Sequence, residues 1–326
     1  MHNLQIMGTG RWVPEQQLTN EDLSSIVDTT DEWITSRTGI RTRHISTWEN
    51  TSDLASKAAQ MALQQANIQM EEVDLIIVAT MTPDSSMPST ACLVQKQLQA
   101  KNAVCFDVSA ACSGFVYAMT IAKQFLQTGF YKTAVVIGAE VLSKVIDWQD
   151  RNTCVLFGDG AGAVVLQHSQ DLGVEACYLG SDGQGDDLLE CKGVALQNPL
   201  KPCTQTESLR RPSMTMKGRE VFQFALQIVP ACIQQLLDQS GYTIEQIDHI
   251  VLHQANIRIL EGVAKKMKVP KEKFYSNMEY YGNTSAASIP IALDEMREQN
   301  LLKKGDKVIL VGFGGGLTWG AILLTW

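Results

Sequence analysis

The amino-acid sequence predicts an α/β protein built from two similar halves, and two observations support this fold class. Short runs rich in valine and isoleucine alternate with amphipathic stretches, which is typical of helices packed on the faces of a sheet. In addition, segments of the first half of the chain recur in the same order in the second half. The 326 residues are enough to bury a large core.

Three continuous apolar runs predict fully buried strands. These runs are LIIVAT (75–80), AVVIGAE (134–140) and KVILVG (307–312). Helical patterns lie between and around them: FVYAMTIAKQFLQTG (115–129), IRILEGVAKKMKV (257–269) and TSAASIPIALDEMREQN (284–300). The alternation of the two patterns predicts sheets layered with helices.

Two pairs of segments indicate an internal repeat. MEEVDLIIVAT (70–80) is similar to IEQIDHIVLHQA (244–255), and FGDGAGAVVLQ (157–167) is similar to FGGGLTWGAILL (313–324). The spacing agrees as well. Asp74 precedes Cys112 by 38 residues, and the corresponding Asp248 precedes Asn283, a polar residue at a predicted helix start, by 35 residues.

We therefore expect two copies of one α/β unit related by pseudo-symmetry. The boundary is placed near residue 170, which gives an N-terminal half of residues 1–170 and a C-terminal half of residues 171–326. Segment 181–213 is polar and rich in turn residues, so we expect it to run over the surface.

Charge and cysteine content argue against several classes of protein. The formal net charge of -8 disfavours a general nucleic-acid surface. The eight cysteines show no CxxC pair or zinc-ligand spacing, so neither a metal site nor a disulfide framework is expected. The N-terminus lacks a signal pattern, and no apolar run approaches the roughly 18 residues of a membrane span. We expect a cytoplasmic protein that binds neither nucleic acid nor membrane.

Three polar residues predict a site between the two halves. In superimposed halves, Cys112 and Asn283 open equivalent helices, and His253 directly follows a predicted strand. A free thiol has a pKa of about 8.5, and a helix N-terminus and a nearby imidazole lower it toward neutrality. Cys112 is thus a candidate nucleophile, although a buried structural thiol is the common role of such a residue.

The segment FGGGLTWG (313–320) contains three consecutive glycines, which permit close approach of another chain or a ligand. It indicates either a tight turn or an oxyanion hole of backbone N–H groups. The segment lacks the patterns of phosphate-binding loops.

Six motifs together resemble the β-ketoacyl-acyl carrier protein synthase III family, the priming condensing enzymes of bacterial fatty-acid synthesis. The motifs are DTTDEWITSRTGIRTRH, DVSAACSGFVYA, LFGDGAGAVVL, HQANIRI, GNTSAAS and GFGGGLTWG. The resemblance implies a thiolase-like fold of five layers, αβαβα, and a homodimer. It also implies condensation of an acyl-coenzyme A primer with malonyl-acyl carrier protein, with loss of carbon dioxide.

The resemblance also implies a role for each residue of the site. Cys112 would hold the acyl group, with the backbone amides of Cys112 and Gly315 binding the oxyanion. His253 and Asn283 would stabilise the enolate formed by decarboxylation, and Phe313 would shield the malonyl carboxylate from water.

For the coenzyme, the resemblance implies that Trp33 and Arg151 flank the adenine. Thr29, Arg37 and Asn256 would line the groove. Coenzyme A thioesters would serve as substrates, with no separate cofactor and no metal.

Two further interpretations concern specificity. Met87 lies where some family members carry an aromatic residue at the floor of the primer pocket, on a loop that reaches across the dimer. On the predicted helix 257–269, Arg258 and Lys265 are seven residues apart and share a face, with Lys266 adjacent. We expect these three cations to bind the acidic carrier protein.

Other functions remain open. A related thiolase-fold acyltransferase, or a priming synthase of a specialised polyketide pathway, would share the cysteine. Elongating condensing enzymes pair the cysteine with two histidines and hydroxymethylglutaryl-coenzyme A synthases use a glutamate, and neither pattern occurs at the matching positions. A thiol-dependent sensor or a dimeric scaffold would not be acylated at all.

Overall fold

The computed structural model describes residues 3–193 and 213–326. The helices of these residues are α1 (Asn20–Ser24), α2 (Asp31–Thr38), α3 (Thr51–Ala66), α4 (Thr90–Leu98), α5 (Gly114–Gln127), α6 (Arg151–Cys154), α7 (Gly218–Ser240), α8 (Ile257–Met267), α9 (Met278–Tyr281) and α10 (Ser288–Glu298). The strands are β1 (Asn3–Trp12), β2 (Gln17–Thr19), β3 (Thr42–His44), β4 (Leu75–Ala79), β5 (Val104–Val108), β6 (Thr133–Glu140), β7 (Gly160–Ser169), β8 (Val174–Ser181), β9 (Leu189–Cys191), β10 (Met214–Met216), β11 (His249–Leu252), β12 (Lys307–Gly314) and β13 (Thr318–Thr325). All three apolar runs are strands, as predicted.

Two mixed sheets form the centre of the molecule. In the first, with the order β1-β7-β6-β4-β5, β4 pairs in parallel with β5 and β6, and the other pairs are antiparallel. In the second, with the order β8-β13-β12-β11, β11 and β12 are parallel and the other pairs are antiparallel. Phe274 extends this second sheet by a single parallel bridge to Ile250, in the place that β5 occupies in the first. Four strands thus follow the same order and directions in both sheets.

The helices complete five layers. Helices α3 and α4 cover the outer face of the first sheet, α5 and α10 lie between the sheets, and α7 and α8 cover the outer face of the second. Each of the three helical layers packs in its own apolar cluster, and α5 and α10 belong to the central one. The predicted αβαβα arrangement is present.

The repeated sequence segments occupy equivalent places. The Asp74 amide donates to the Thr133 carbonyl, and its carboxylate accepts from the Thr133 amide, so it joins β4 to β6. Asp248 makes the same pair of bonds to Lys307 and joins β11 to β12. Residue 170 falls in the connection between β7 and β8.

Close packing at glycines brings the middle of the molecule together. A Cβ on Gly138 of β6 would lie 2.1 Å from the Ala286 carbonyl oxygen, and a Cβ on Gly312 of β12 would lie 2.8 Å from the Ser113 Cα. These strands therefore contact the turns that precede α10 and α5. The two helix starts predicted to carry Cys112 and Asn283 meet at this point.

In segment 181–213, most of the described residues, 181–193, are exposed, as predicted for a surface excursion. The ribbon that this segment begins also reaches the interior. Strands β9 and β10 pair as an antiparallel ribbon, and Leu189 and Met214 of this ribbon line a cavity at the centre of the molecule. Residues 194–212, which include Cys203, lie outside the described residues.

Candidate active site

Cys112 lies at the junction of two cavities. It belongs to a 3₁₀ turn, Ala111–Ser113, that leads directly into α5, and it is only 5% exposed. Ala111 adopts a left-handed φ of 43°, which turns the chain sharply ahead of the cysteine. Small neighbouring residues leave the thiol facing space on two sides.

The cavities differ in size and lining. The larger has a volume of about 600 Å³, and residues that line it include Cys112, Met81, Ser85, Val145, Leu189 and Met214. The smaller has a volume of about 90 Å³, and residues that line it include Cys112, His253, Asn256, Asn283, Phe222 and Phe313. The predicted triad is thus brought together in the smaller cavity, with the thiol open to both.

His253 follows β11 and is 4% exposed. Its Nδ1 lies 2.8 Å from the Ser288 Oγ at the start of α10, which leaves Nε2 for the site. The edge of the ring packs against Phe313, with the ring centroids 5.3 Å apart. Burial lowers the pKa of His253 to about 3, so the imidazole is neutral.

Asn283 is oriented by the backbone on both sides. Its own amide donates to the Leu156 carbonyl at 2.9 Å, and its carbonyl accepts from the Gly158 amide at 3.0 Å. The side-chain Oδ1 accepts from the Ser285 amide at 2.9 Å. Since Oδ1 is occupied, the Nδ2 donor is the group left for the cavity.

The glycine run lies directly against the cysteine. A Cβ on Gly314 would be 2.9 Å from the Cys112 Cβ and 3.3 Å from its Sγ. Gly315 lies next to Ala111 and lines the larger cavity. The run forms the tight turn between β12 and β13, which is one of the two sequence interpretations, and Gly314 is needed for the close approach to Cys112.

The expected lowering of the thiol pKa is wrong. Burial raises the pKa of Cys112 to about 12, and the nearby Glu140 carboxylate adds to the rise. The neutral His253 supplies no positive charge to oppose this effect. In the resting site Cys112 is therefore a thiol rather than a thiolate.

Comparison with known proteins identifies the family. Residues 106–183 match the family model described as 3-oxoacyl-[acyl-carrier-protein (ACP)] synthase III, and residues 237–326 match the model of its C-terminal part. The chain is 56% identical to the β-ketoacyl-[acyl-carrier-protein] synthase III of Clostridium novyi over 326 residues, which cover 100% of both chains. The chain belongs to the β-ketoacyl-[acyl-carrier-protein] synthase III family.

Solved structures agree with the synthase III assignment. The crystal structure of 3-oxoacyl-[acyl-carrier-protein] synthase III from Aquifex aeolicus superposes with a TM-score of 0.93 at 46% identity, covering 99% of this chain and 100% of that one. The priming β-ketosynthase of the R1128 polyketide biosynthetic pathway superposes with a TM-score of 0.92 at 33% identity, covering 99% and 96%. The predicted family, the thiolase-like fold and the acyltransferase class are confirmed. Synthase III enzymes use coenzyme A thioesters without a separate cofactor.

Of the residues expected to bind coenzyme A, Trp33, Arg37 and Arg151 pack together, and Asn256 lies at the smaller cavity. The guanidinium carbons of Arg37 and Arg151 lie 4.7 Å and 4.9 Å from the centroid of the Trp33 ring. Arg151 also donates to the Asp28 carbonyl at 2.8 Å. Because Arg151 lies directly on the indole, an adenine can enter between them only if Arg151 moves away.

Thr29 and Asn256 complete this set. The Thr29 hydroxyl is buried and has no hydrogen-bond partner. Asn256 lines the smaller cavity and also caps α8, where its Oδ1 accepts from the Arg258 amide at 2.8 Å. Asn256 therefore links the cavity to the start of a basic helix.

Met87 and the three cations are on the surface. Met87 is 85% exposed, and among the residues near it Ser85 and Ser86 line the larger cavity. Arg258, Lys265 and Lys266 are exposed on α8. The Met87 side chain is not among the residues that line the larger cavity of its own chain.

Sequence reasoning missed two polar residues at the site. Ser285 lines the larger cavity and Glu140 lies buried behind it. Leu189, in the polar segment 181–213, and Met214, directly after that segment, were missed as well. Within the described ranges, no group of three or more His, Cys, Asp or Glu residues is placed to hold a metal ion. No helix there is long and apolar enough to cross a membrane.

Proposed function

We propose that this protein condenses a short acyl-coenzyme A with malonyl-acyl carrier protein, the initiating step of fatty-acid synthesis. The observation that carries the proposal is the position of Cys112, which meets one cavity suited to an acyl group and another that holds His253 and Asn283. An acyl chain bound to the sulfur can extend into the first cavity while a second thioester enters the other.

In the first half-reaction the Cys112 sulfur attacks the primer thioester. The new S–C bond forms as the thiol gives up its proton to a base, and the resulting tetrahedral intermediate collapses when the bond to the coenzyme A sulfur breaks. The thiolate of coenzyme A leaves and takes up a proton. The amides of Cys112 and Gly315 are assigned to the oxyanion of the tetrahedral intermediate, because the glycine run lies against the thiol.

In the second half-reaction malonyl-acyl carrier protein loses carbon dioxide. The resulting enolate bears its charge on the thioester oxygen, where the Asn283 Nδ2 donates a hydrogen bond and the neutral His253 ring lies beside it. Phe313 is buried against His253 and excludes water from the departing carboxylate. The enolate carbon then attacks the acyl group and Cys112 is released.

Coenzyme A is proposed to bind with its adenine on Trp33. Arg151 would release its contact with Trp33 and stack on the opposite face of the base, while Arg37 stays beside the indole. Thr29 has an unused hydroxyl for the ligand, and Asn256 lies further along the groove beside the smaller cavity.

The homodimer is proposed on the basis of an unpaired edge. Strand β5 ends the first sheet without a further partner among the described residues, and Val104 at its start is 44% exposed. Met87 is exposed nearby in sequence, on the loop that precedes α4. A second copy on this edge would cover both features and close the larger cavity. The division into halves at residue 170 and the cytoplasmic location also remain proposals.

Arg258, Lys265 and Lys266 are proposed to bind the carrier protein. They are exposed on the helix whose N-cap residue, Asn256, lines the smaller cavity, and the chain as a whole carries a net charge of -8. An acidic partner must therefore be attracted by a local group of cations rather than by the whole surface.

A labelled substrate tests the proposed function directly. Protein incubated with acetyl-coenzyme A labelled in the acetyl group should carry one label per chain on Cys112, and malonyl-acyl carrier protein should then remove it as a β-ketoacyl product. Cys112→Ala should carry none. A wild-type protein that is not acylated would contradict the proposal, and acylation without condensation would favour a different acyltransferase, including one that primes polyketide synthesis.

A further inference from the structure

Ser285 presents an unused hydroxyl to the site. Its side chain lines the larger cavity together with Cys112, the residue is 1% exposed, and its Oγ makes no well-aligned hydrogen bond. The backbone is held at a left-handed φ of 49°, a conformation uncommon for a residue other than glycine. A buried hydroxyl without a partner is costly, and one that faces a reaction cavity is available to a reacting group.

Behind Ser285 lies a carboxylate that the proposed function does not use. Glu140, the last residue of β6, is 0% exposed. Its carboxylate accepts hydrogen bonds from the Thr82 hydroxyl at 2.5 Å, from the Thr80 hydroxyl at 3.2 Å and from the Met81 amide at 3.2 Å. Among the described residues no Lys, Arg or His forms an ion pair with it.

The backbone brings this carboxylate to the thiol. Strand β6 packs at Gly138 against the turn that starts at Ser285, and the turn of Cys112 lies on the same side. The Ser285 hydroxyl is near enough to lower the pKa of both Cys112 and Glu140, and the charge of Glu140 raises that of Cys112. Ser285 and Cys112 thus line one cavity, and Glu140, two residues after Gly138 on β6, faces the turn that carries Ser285.

We propose that Glu140, acting through the Ser285 hydroxyl, accepts the proton of the Cys112 thiol during acylation. This inference rests on the proposed function, since it requires Cys112 to be the nucleophile. As the S–C bond forms, the thiol proton passes to the Ser285 oxygen and the Ser285 proton passes to the carboxylate. The coenzyme A thiolate leaves and takes a proton from water.

The proton returns in the second half-reaction. When the enolate attacks the acyl group, the Cys112 thiolate is expelled and recovers its proton from Glu140 by the same route. Glu140 is thus neutral while the malonyl carboxylate and the enolate occupy the site, which removes a like charge at the time when two anions would repel. Over the cycle only the proton taken up by coenzyme A comes from solvent.

His253 is less suited to this task. Burial lowers its pKa to about 3, whereas burial raises the pKa of Glu140 to about 7. Of the two groups, Glu140 is therefore the stronger base and is half-ionised near neutral pH. Among the described residues, Lys144 in the 3₁₀ turn after β6 is a charged group that faces Glu140, and its ammonium donates to the Thr82 carbonyl at 3.2 Å.

Lys144 does not neutralise the carboxylate. Its ammonium also faces Asp84 and Asp159, and its second hydrogen bond goes to the Thr51 hydroxyl at 3.1 Å. The threonines around Glu140 are uncharged. The titration of acylation near pH 7 should therefore report Glu140.

The test follows the acylation half-reaction alone. Rapid-quench measurement of labelled acetyl transfer to wild-type protein should show a rate that rises with pH around an inflection near 7. Glu140→Gln and Ser285→Ala should acylate about 100-fold more slowly at neutral pH, and Glu140→Gln should lack the inflection. Ser56→Ala removes another buried, unpartnered hydroxyl, on α3, and should acylate as the wild type does.

A spectroscopic readout separates proton transfer from a purely structural role. Difference infrared spectra of wild-type protein should gain a carboxylic-acid C=O band on acylation, and Glu140→Gln should not. If Glu140→Gln does not fold, Ser285→Ala keeps the test available, because it leaves the carboxylate network intact. An unchanged pH profile in Ser285→Ala, or acylation without the new band, would overturn the inference. A wild-type protein that is not acylated would instead overturn the proposed function.

Discussion

At the scale of single residues, one backbone hydrogen bond decides what Asn283 offers to a substrate. The Ser285 amide holds Oδ1, so the cavity receives a donor, and an enolate oxygen requires a donor. Acylation uses the Cys112 thiol and the Ser285 hydroxyl rather than the Asn283 donor. The two half-reactions should therefore respond differently to a change at residue 283.

Asn283→Ala should still be acylated at Cys112 but should decarboxylate malonyl-acyl carrier protein about 100-fold to 1000-fold more slowly, the usual loss for one oxyanion donor. Acylation is measured with labelled acetyl-coenzyme A and decarboxylation by release of labelled carbon dioxide. Cys112→Ala is the reciprocal control, since it should lose acylation and keep some decarboxylation. Normal condensation by Asn283→Ala would remove Asn283 from the enolate site.

Gly314 is required by contact rather than by backbone conformation. A Cβ there would lie 3.1 Å from the Cys112 amide nitrogen and 2.9 Å from its Cβ. Gly314→Ala should displace the cysteine turn and slow acylation at least about tenfold, since misplacing a reacting group is costly. Gly183→Ala is the matched control, because a Cβ there meets nothing within 4 Å. Equal acylation rates in the two variants would show that the turn adapts without loss.

The sequence allowed some of these residues to be predicted and not others. Cys112, His253 and Asn283 were accessible because each follows a recognisable strand or opens a helix in a repeated unit. Glu140 was not, because in sequence it is simply the last residue of an apolar run, and its burial depends on how β4 and β6 pair. The direction of the pKa shift of Cys112 was predicted wrongly, because the burial that raises this pKa cannot be read from a sequence motif.

At the scale of elements, helix α8 connects the site to the surface. Asn256 both caps the helix and lines the smaller cavity, and Arg258 packs its guanidinium over Phe222, which lines the same cavity. Lys266 donates to the Leu226 carbonyl of α7 at 3.0 Å, which fixes the helix against its neighbour. A carrier protein bound on these cations would deliver its thioester to the cavity mouth.

Arg258→Glu should raise KM for malonyl-acyl carrier protein about tenfold at low ionic strength while leaving the KM for acetyl-coenzyme A unchanged, because the reversed charge repels an acidic partner. The effect should shrink as salt is added. Lys304→Glu makes the same charge change at a cation paired with Asp171, away from α8, and should leave both constants as they are. Equal increases for the two substrates in Arg258→Glu would contradict a docking role.

At the scale of the whole molecule, the layers and the repeat were predictable, but the shape of the larger cavity was not. Repetition of buried strands specifies two sheets with helices on their faces. The cavity instead depends on distant segments that meet there, such as Leu189 and Met214 of the β9–β10 ribbon and Val145 after β6. Such contacts leave no local pattern in the sequence.

The larger cavity also exceeds what an acetyl group fills, and this bears on primer choice. Its volume among the described residues is about 600 Å³, and Met87 is 85% exposed. A second copy placed on the β5 edge would insert its own Met87 as the floor of the cavity. Methionine is unbranched and flexible, so the pocket should accept acetyl and short branched primers alike.

Met87→Phe should therefore lower kcat/KM for isobutyryl-coenzyme A about tenfold and leave that for acetyl-coenzyme A nearly unchanged, since a rigid ring removes the space for extra methyl groups, which contribute about 1 to 3 kcal/mol each. Ile26→Phe enlarges another exposed apolar side chain, in the connection between α1 and α2, and should alter neither kcat/KM value. Sedimentation must show both variants as dimers for the comparison to hold. An unchanged ratio of the two primers in dimeric Met87→Phe would place the floor of the pocket elsewhere, and a fully active monomer would exclude a contribution from the second chain.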